Sequence, residues 1–526
     1  MSFLFMICLV VLYMLVVGYL GFLGYKKTTS ATDYLLAGRS THPFIMSMSY
    51  GATFISTSAI VGFGGMAGRF GMGLLWLVFL NIFLGIFIAF AYFGNRTRMM
   101  GYHLDAHTFP EFIGKRYGSK FIQVYSGMLI FLSMPLYAAV VMIGGARFVE
   151  IYMGIPYMTG LFIFTLIVAA YVIAGGLKGV LYTDALQGTI MFLGMMFLGI
   201  ATYSKLGGFV SAHQALTDLA DKVPEQLAAM GHVGWTAMPT AFSQWWYILV
   251  TSVILGVGIG VLAQPQLVVR FMTVKSDREL LRALPIGGLF ILMIPGTAYV
   301  VGALSNVYFH QTQGVLAETA AGGNIDKIIP LYISQAMPQW FGAIFMLLLL
   351  AAAMSTLSGQ FHAMGTAMSR DIYQQFARKT EKDNTVKLTR IAITVGLVIV
   401  LWLGCILPES IIARGTSIFF ALCASSFLPL YALGLYWKGV TPAAAKASLI
   451  FGSLGSLFYT LFIHGSEAKA LGVSQLLFGK PALFGFPMVV VDSIVVILPL
   501  NVLFIIIVSL FTSRQDSRFL DKLFKK

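Results

Sequence analysis

The chain has 526 residues, 58% of them hydrophobic and only 10% charged, with a mean hydropathy of +0.85. That balance excludes a soluble globular domain, and apolar runs of about 20 residues, each long enough to cross a hydrocarbon core, recur along the whole length. The net charge of +14 is explained by membrane topology without a nucleic-acid partner, and the three cysteines (Cys8, Cys405, Cys423) sit in or near apolar runs, which suggests neither a metal cluster nor a disulfide framework.

Thirteen membrane helices are expected in a single all-α transmembrane domain: 3–24, 42–68, 72–95, 119–153, 156–176, 183–203, 242–265, 283–304, 339–363, 391–407, 410–436, 442–464 and 485–511. The first lacks a basic leader and a small-residue cleavage site, so it reads as a retained helix. Alternate loops are basic. One set carries Lys26, Lys27, Arg39, Arg96, Arg98, Lys115, Arg116, Lys178, Arg270, Lys275, Arg278, Arg282, Arg370, Arg378, Lys379, Lys382, Lys387, Arg390 and Lys438, and the tail 512–526 adds five more. The other set carries only Arg69, Lys205, Lys222, Lys327, Lys469 and Lys480. The positive-inside rule then puts the N-terminus outside and the C-terminus in the cytoplasm of a plasma membrane. The longest outer loops, 204–241 and 305–338, are expected to hold short surface helices.

With the first helix set aside, 42–203 and 242–436 each hold five helices, and 442–511 adds two. Five is odd, so the second group threads upside down relative to the first, which is the arithmetic of an inverted repeat with its site at the midplane. The leading helix of each group should be broken. Ser49-Tyr-Gly-Ala-Thr-Phe-Ile-Ser-Thr-Ser-Ala-Ile-Val-Gly-Phe-Gly-Gly65 and Gly256-Val-Gly-Ile-Gly-Val-Leu-Ala-Gln-Pro265 are rich in residues that weaken a helix and free its carbonyls.

In the ninth helix, Ala352, Ser355 and Thr356 share one face. An isolated hydroxyl there would bond back to its own helix or to a neighbour. Adjacent hydroxyls beside small residues instead offer part of an oxygen shell. Unwinding near Ala52 and Ile55 would add their carbonyls to the Ala352 carbonyl and the two hydroxyls. Five neutral oxygens suit a weakly held monovalent cation, whereas a divalent ion wants carboxylates. Asp184 and His362 are the titratable groups nearest that depth; His362 reads as packing near the cytoplasmic end, and sodium is expected.

Five stretches carry a resemblance to the sodium/solute symporter family: Asp33-Tyr-Leu-Leu-Ala-Gly-Arg-Ser40, Thr108-Phe-Pro-Glu-Phe-Ile-Gly-Lys-Arg-Tyr-Gly-Ser119, Gly175-Gly-Leu-Lys-Gly-Val-Leu-Tyr-Thr-Asp-Ala-Leu-Gln187, Gln264-Pro-Gln-Leu-Val-Val-Arg-Phe-Met272 and the block from Ala352 to Asp371. The resemblance implies the five-plus-five inverted repeat of the leucine-transporter type. It also implies a sodium site at Ala52, Ile55, Ala352, Ser355 and Thr356. In some relatives a second sodium uses positions matching Asp184, Ser355 and Ser358, but Gly359 here lacks a further hydroxyl. A salt bridge or cap near Lys178 is the structural reading of Asp184, and ion release is the functional one.

The expected function is sodium-coupled import of a small organic solute by alternating access, with no enzymatic step. The solute walls are expected at Thr53, Phe54, Ser56, Thr57, Gly258, Val261, Leu262 and Gln360, a mostly apolar surface. They lean to a monocarboxylate or other small organic anion. Phe54, Val257 and Val261 depart from the resembled proline carriers, and an amino acid or vitamin is the alternative. Arg147 is expected to pair with Glu150 at the outer surface rather than hold substrate. A solute sensor and a sodium-independent or proton-coupled carrier are the rival readings. The partners expected are the solute, sodium and the bilayer, with the chain as a monomer.

Overall fold

The computed structural model describes residues 3–26, 36–174, 177–377 and 385–524. Positions 33–35 and 175–176 of the family-like motifs, the basic residues Lys27, Arg378, Lys379, Lys382, Lys525 and Lys526, and the side chain of Lys178 lie outside them. Among the described residues the fold is helical throughout, without a strand. Ten helices are long and apolar enough to cross a membrane, and two shorter apolar helices, Cys8–Gly24 and Tyr157–Val172, accompany them.

Helix α1 is Phe3–Lys26. The next expected helix is interrupted, as the glycines and hydroxyls foretold. Its first half, α2, is Pro43–Phe54, and its second half, α3, spans 58–70. Between them Ile55 is extended (φ −91°, ψ 102°), its N–H closing the last turn on the Gly51 carbonyl. Helical path α4 covers 75–103, the loop helix α5 is Phe109–Arg116, and α6 is Lys120–Met153. Helices α7 (Tyr157–Ala174) and α8 (Leu177–Lys205) complete the first group of five.

After the short helix α9 (Phe209–Asp218), α10 (Gln244–Ala263) stops at Gln264 (φ −73°, ψ 115°), and Pro265 opens α11, Pro265–Phe271. This is the second expected break. Proline suits the first turn of a helix because it has no N–H to leave unpaired. Helix α12 runs from Asp277 to Gln313, nine residues past the expected end, because 305–313 stays helical, with 305–309 buried, rather than looping. The short helix α13 is Ile328–Ala336, α14 is Gln339–Phe376, α15 is Thr385–Ile406 and α16 is Ile412–Tyr436. Helix α17 is Pro442–Phe462, α18 is Gly465–Leu471, α19 is Ile494–Phe511 and the tail helix α20 is Ser517–Phe524. Helix α19 starts later than expected: the Asp492 carboxylate accepts from the Ile494 N–H at 3.1 Å and turns the chain there.

Helix α14 is the most buried of the long apolar helices described. It packs against α2, α6, α8 and α15, while α12 lies along α2 and α3. Small residues set that last seam: a Cβ added at Gly302 would meet the Gly64 carbonyl oxygen at 1.9 Å. In hydrocarbon such close backbone approach replaces the hydrophobic effect as the force between helices.

Candidate ion and solute site

The break in α2 faces the hydroxyls of α14. The Ser355 hydroxyl lies 2.8 Å from the Ala52 carbonyl and 3.1 Å from that of Ala352. The Thr356 hydroxyl lies 3.1 Å from the Thr53 carbonyl and 3.3 Å from that of Ala52. Three carbonyls and two hydroxyls therefore share one fully buried place, with two O–H protons among them. The surplus of lone pairs makes a neutral but electronegative pocket, which favours a small cation over an anion or a second donor. Ala52, Ala352, Ser355 and Thr356 are thus brought together, with Ile55 at the break itself. The Thr53 carbonyl joins them although the sequence reading gave Thr53 only a wall position. Its side chain crosses to the same helix and donates to the Ser355 carbonyl at 3.3 Å.

Asp184 is fully buried in α8, and the Ser49 hydroxyl donates to its Oδ2 at 2.6 Å. Its cationic partner is Arg270, with Nη2 at 3.1 Å. This corrects the sequence reading, which counted Arg270 among loop charges. The residue lies on α11 and is 1% exposed, because polar side chains of α2 and α8 converge on it. Arg116 is a second correction: it is buried, with Nε donating to the Gly434 carbonyl at 2.9 Å. Ser358 turns its hydroxyl to the Ser355 carbonyl at 3.0 Å.

The expected solute walls are all buried, and they divide. Phe54 stacks on Phe420 with ring centroids 6.4 Å apart, and Phe420 meets Tyr137 edge-on at 5.3 Å. Val261 approaches the same region: the Cβ position of Gly85 is 3.2 Å from its side chain and 3.4 Å from Phe54. These make an aromatic and aliphatic wall beside the break, with Ser56 and Leu262 buried near it in sequence. Gln360 is fully buried with both amide atoms unbonded. Thr57 and Gly258 instead serve packing. Thr57 donates to the Val141 carbonyl at 2.5 Å, and a Cβ at Gly258 would strike Leu80 at 2.8 Å.

One end of the bundle carries Arg98, Arg116 and Arg370, and is here termed the basic end. There a cavity of about 30 Å³ is lined by Thr108, Gln266, Arg270, Gly359 and His362. The Thr108–Ser119 motif builds its wall. Thr108 caps α5 by accepting from the Glu111 N–H at 3.1 Å and donates to Asp371 at 2.7 Å. Glu111 pairs with Arg370 at 3.0 Å and Lys115 at 2.8 Å. Burial alone would raise the Glu111 carboxyl, but bonds from His107 and Arg370 hold it well below the usual range. The chain entering α2 and the chain leaving α11 meet here too, Thr41 N–H donating to the Thr273 carbonyl at 3.1 Å. At the opposite end Arg147 pairs with Glu150 at 2.8 Å, as expected, but is buried over the Tyr157 ring rather than at the surface.

A broken helix that meets a continuous one at a buried oxygen cluster, with a second broken helix packed beside the first, is the arrangement of the inverted five-plus-five carrier fold. The fold is matched by a solved Na+-coupled sialic acid symporter in a substrate-bound outward-open state. That match has a TM-score of 0.71 and 19% identity, and covers 97% of this chain and 98% of that one. Residues 34–452 match the model of the sodium:solute symporter family, and the chain belongs to that family. It is similar to the osmoregulated proline transporter OpuE of Bacillus subtilis (strain 168), with 28% identity over 464 residues, 88% of this chain and 89% of the relative. It is likewise similar to a sodium/proline symporter of Staphylococcus aureus (strain JH9), with 27% identity over 467 residues and 86% of each chain. The protein is therefore a sodium-coupled symporter of a small solute, embedded in a membrane, and not an enzyme.

Proposed function

We propose that this chain couples sodium entry to uptake of a small amino acid, with proline as the first candidate, by alternating access. The observation that carries the coupling is the meeting of the Ser355 and Thr356 hydroxyls with the carbonyls of the α2 break. An ion held there binds two elements at once, so it favours the arrangement in which they touch. The same backbone then presents Phe54 and Ser56 to the solute. By linkage, sodium raises solute affinity and solute raises sodium affinity by one common factor.

The relatives shift the solute from the monocarboxylate expected from sequence to an amino acid. A wall of Phe54, Phe420 and Val261 supports a solute with a small apolar body. Gln360, with one unpaired acceptor and two unpaired donors, supports polar groups of both kinds on that solute. In this reading Ala52, Ile55, Ala352, Ser355 and Thr356 hold the ion, and 42–203 and 242–436 are the two repeats that rock around it. The basic end faces the cytoplasm, which the lysine and arginine asymmetry supports.

The test is uptake into proteoliposomes with an inward sodium gradient, using labelled proline, other small amino acids, lactate, pyruvate and pantothenate, with potassium as the control. Sodium-dependent uptake of proline or a close analogue is expected. Uptake indifferent to sodium would overturn the ion reading, and sodium-driven uptake of lactate or pyruvate alone would overturn the solute reading.

A further inference from the structure

Asp184 is a carboxylate buried at the depth of the α2 break, and a charge there must be matched by a cation. In a sodium carrier that cation can come from solution and be carried across, or it can belong to the protein. Here Arg270 supplies it, and the guanidinium is tied on several sides. Nη2 reaches Asp184 Oδ2 at 3.1 Å and the Thr53 hydroxyl at 2.5 Å. Nε donates to the Ser49 hydroxyl at 3.0 Å, and Nη1 to the Gln266 carbonyl at 2.7 Å. Ser49 and Thr53 are one turn apart on α2, so Arg270 joins the basic-end halves of both broken helices to α8.

Gly359 makes the room. A Cβ at that position would lie 3.1 Å from the Thr53 methyl and 3.4 and 3.5 Å from the two Arg270 Nη atoms. A hydroxyl-bearing side chain at 359 would project into the guanidinium. Asp184 Oδ1 is buried and unbonded, so the carboxylate retains a lone-pair face that a solution cation would take if Arg270 were gone.

We propose that Arg270 is a tethered counter-cation. It fills with a fixed charge the place beside Asp184 that a second sodium would occupy, and the carrier therefore binds a single sodium. The inference rests on the sodium site of the proposed function. Arg270 is a positioning residue: it acts on that site through Thr53, whose carbonyl accepts from Thr356.

The experiment counts sodium on the purified full-length protein by equilibrium binding of radioactive sodium. Wild type is expected to bind one, and Thr356→Ala to bind it about tenfold more weakly. Arg270→Gln exposes the Asp184 charge and is expected to raise the count to two, while Arg270→Lys keeps it at one. The double variant Asp184→Asn/Arg270→Gln removes both charges together, so it avoids a lone buried charge and should fold where the single variant does not; it too should bind one. Two sodium ions on wild type, one on a folded Arg270→Gln, or two on the double variant would each overturn the tether. No sodium on wild type, or an unchanged sodium affinity in Thr356→Ala, would refute the sodium site itself and the tether with it.

Discussion

The Ser355 hydroxyl lies 2.8 Å from the Ala52 carbonyl across 303 positions of sequence, and this contact joins the broken helix to the most buried one. The hydroxyl proton partly satisfies the carbonyl, and a sodium ion coordinated there would replace it. Ser355→Ala and Thr356→Ala each delete one oxygen without adding volume. Losing one such ligand costs about 1.4 kcal/mol, or about tenfold in affinity. Half-saturating sodium for uptake should therefore rise on the order of tenfold in each, with the melting temperature in detergent nearly unchanged. Normal sodium activation in either variant would remove that residue from the site.

The end opposite the basic one is closed by backbone on backbone. A Cβ at Gly65 would sit 2.1 Å from the Ile325 carbonyl oxygen, and a peptide cannot rotate away as a side chain can. Gly65→Ala should push the segment around Ile325 off α3, at a cost of about 1–3 kcal/mol. The Ile325 N–H donates to the Ser410 hydroxyl at 3.2 Å, so Ser410 reports on that docking. In a background lacking Cys8, Cys405 and Cys423, labelling of Ser410→Cys by a maleimide should speed several-fold when Gly65→Ala is added. An unchanged rate would mean that the segment does not rest on position 65.

Local chemistry made much of this readable. Glycine and hydroxyl density marked the α2 break, and Gln264-Pro265 marked the second, because those residues act on their own backbone. Ser355 and Thr356 were legible because a helix fixes which residues share a face. Arg270 was not. The sequence reading placed it among the charges of a basic loop, and its partner Asp184 is 86 residues away on another helix. The only local hint was an arginine flanked on both sides by apolar residues, which a loop would not require. Thr53 was half-read for a related reason: the sequence placed it beside the break but could not show its hydroxyl between Ser355 and Arg270.

Helices α16 and α18 and the turn into α19 are pinned by one cation. Arg414 meets Glu467 at 2.6 Å and Asp492 at 2.6 Å, with both acids largely buried. Arg414→Met would leave Asp492 without its cation and Glu467 with only His464 beside it, and breaking such a pair from one side costs on the order of 3–5 kcal/mol. The melting temperature in detergent should fall by several degrees. The Lys438–Asp521 pair on the tail helix has a similar separation, 2.7 Å, but its side chains are 51% and 69% exposed. Solvent screening limits such a pair to below about 1 kcal/mol, so Lys438→Ala should melt like the parent. Equal losses in the two variants would show that burial does not set the value of these pairs.

Asp326, in the loop between α12 and α13, gives the fold a pH dependence whose sign can be worked out. Burial pushes its carboxyl up to about 7; the backbone N–H of Ile412, the charge of Arg147 and the N–H of Ile411 pull it down without prevailing, and Glu409 pushes it up. An unfolded aspartate titrates near about 3.9. Between those values the folded protein holds a proton that the unfolded chain has released. Stability therefore falls as pH rises through that window. The contribution of Asp326 is fully present below about 4 and is lost as pH passes about 7. Asp326→Asn keeps the shape and removes the titration. The difference in melting temperature between variant and wild type should be smallest at pH 5 and widen in favour of the variant by pH 8. A difference constant across that range would show that Asp326 stays charged in the folded protein, held by the α16 amides and Arg147.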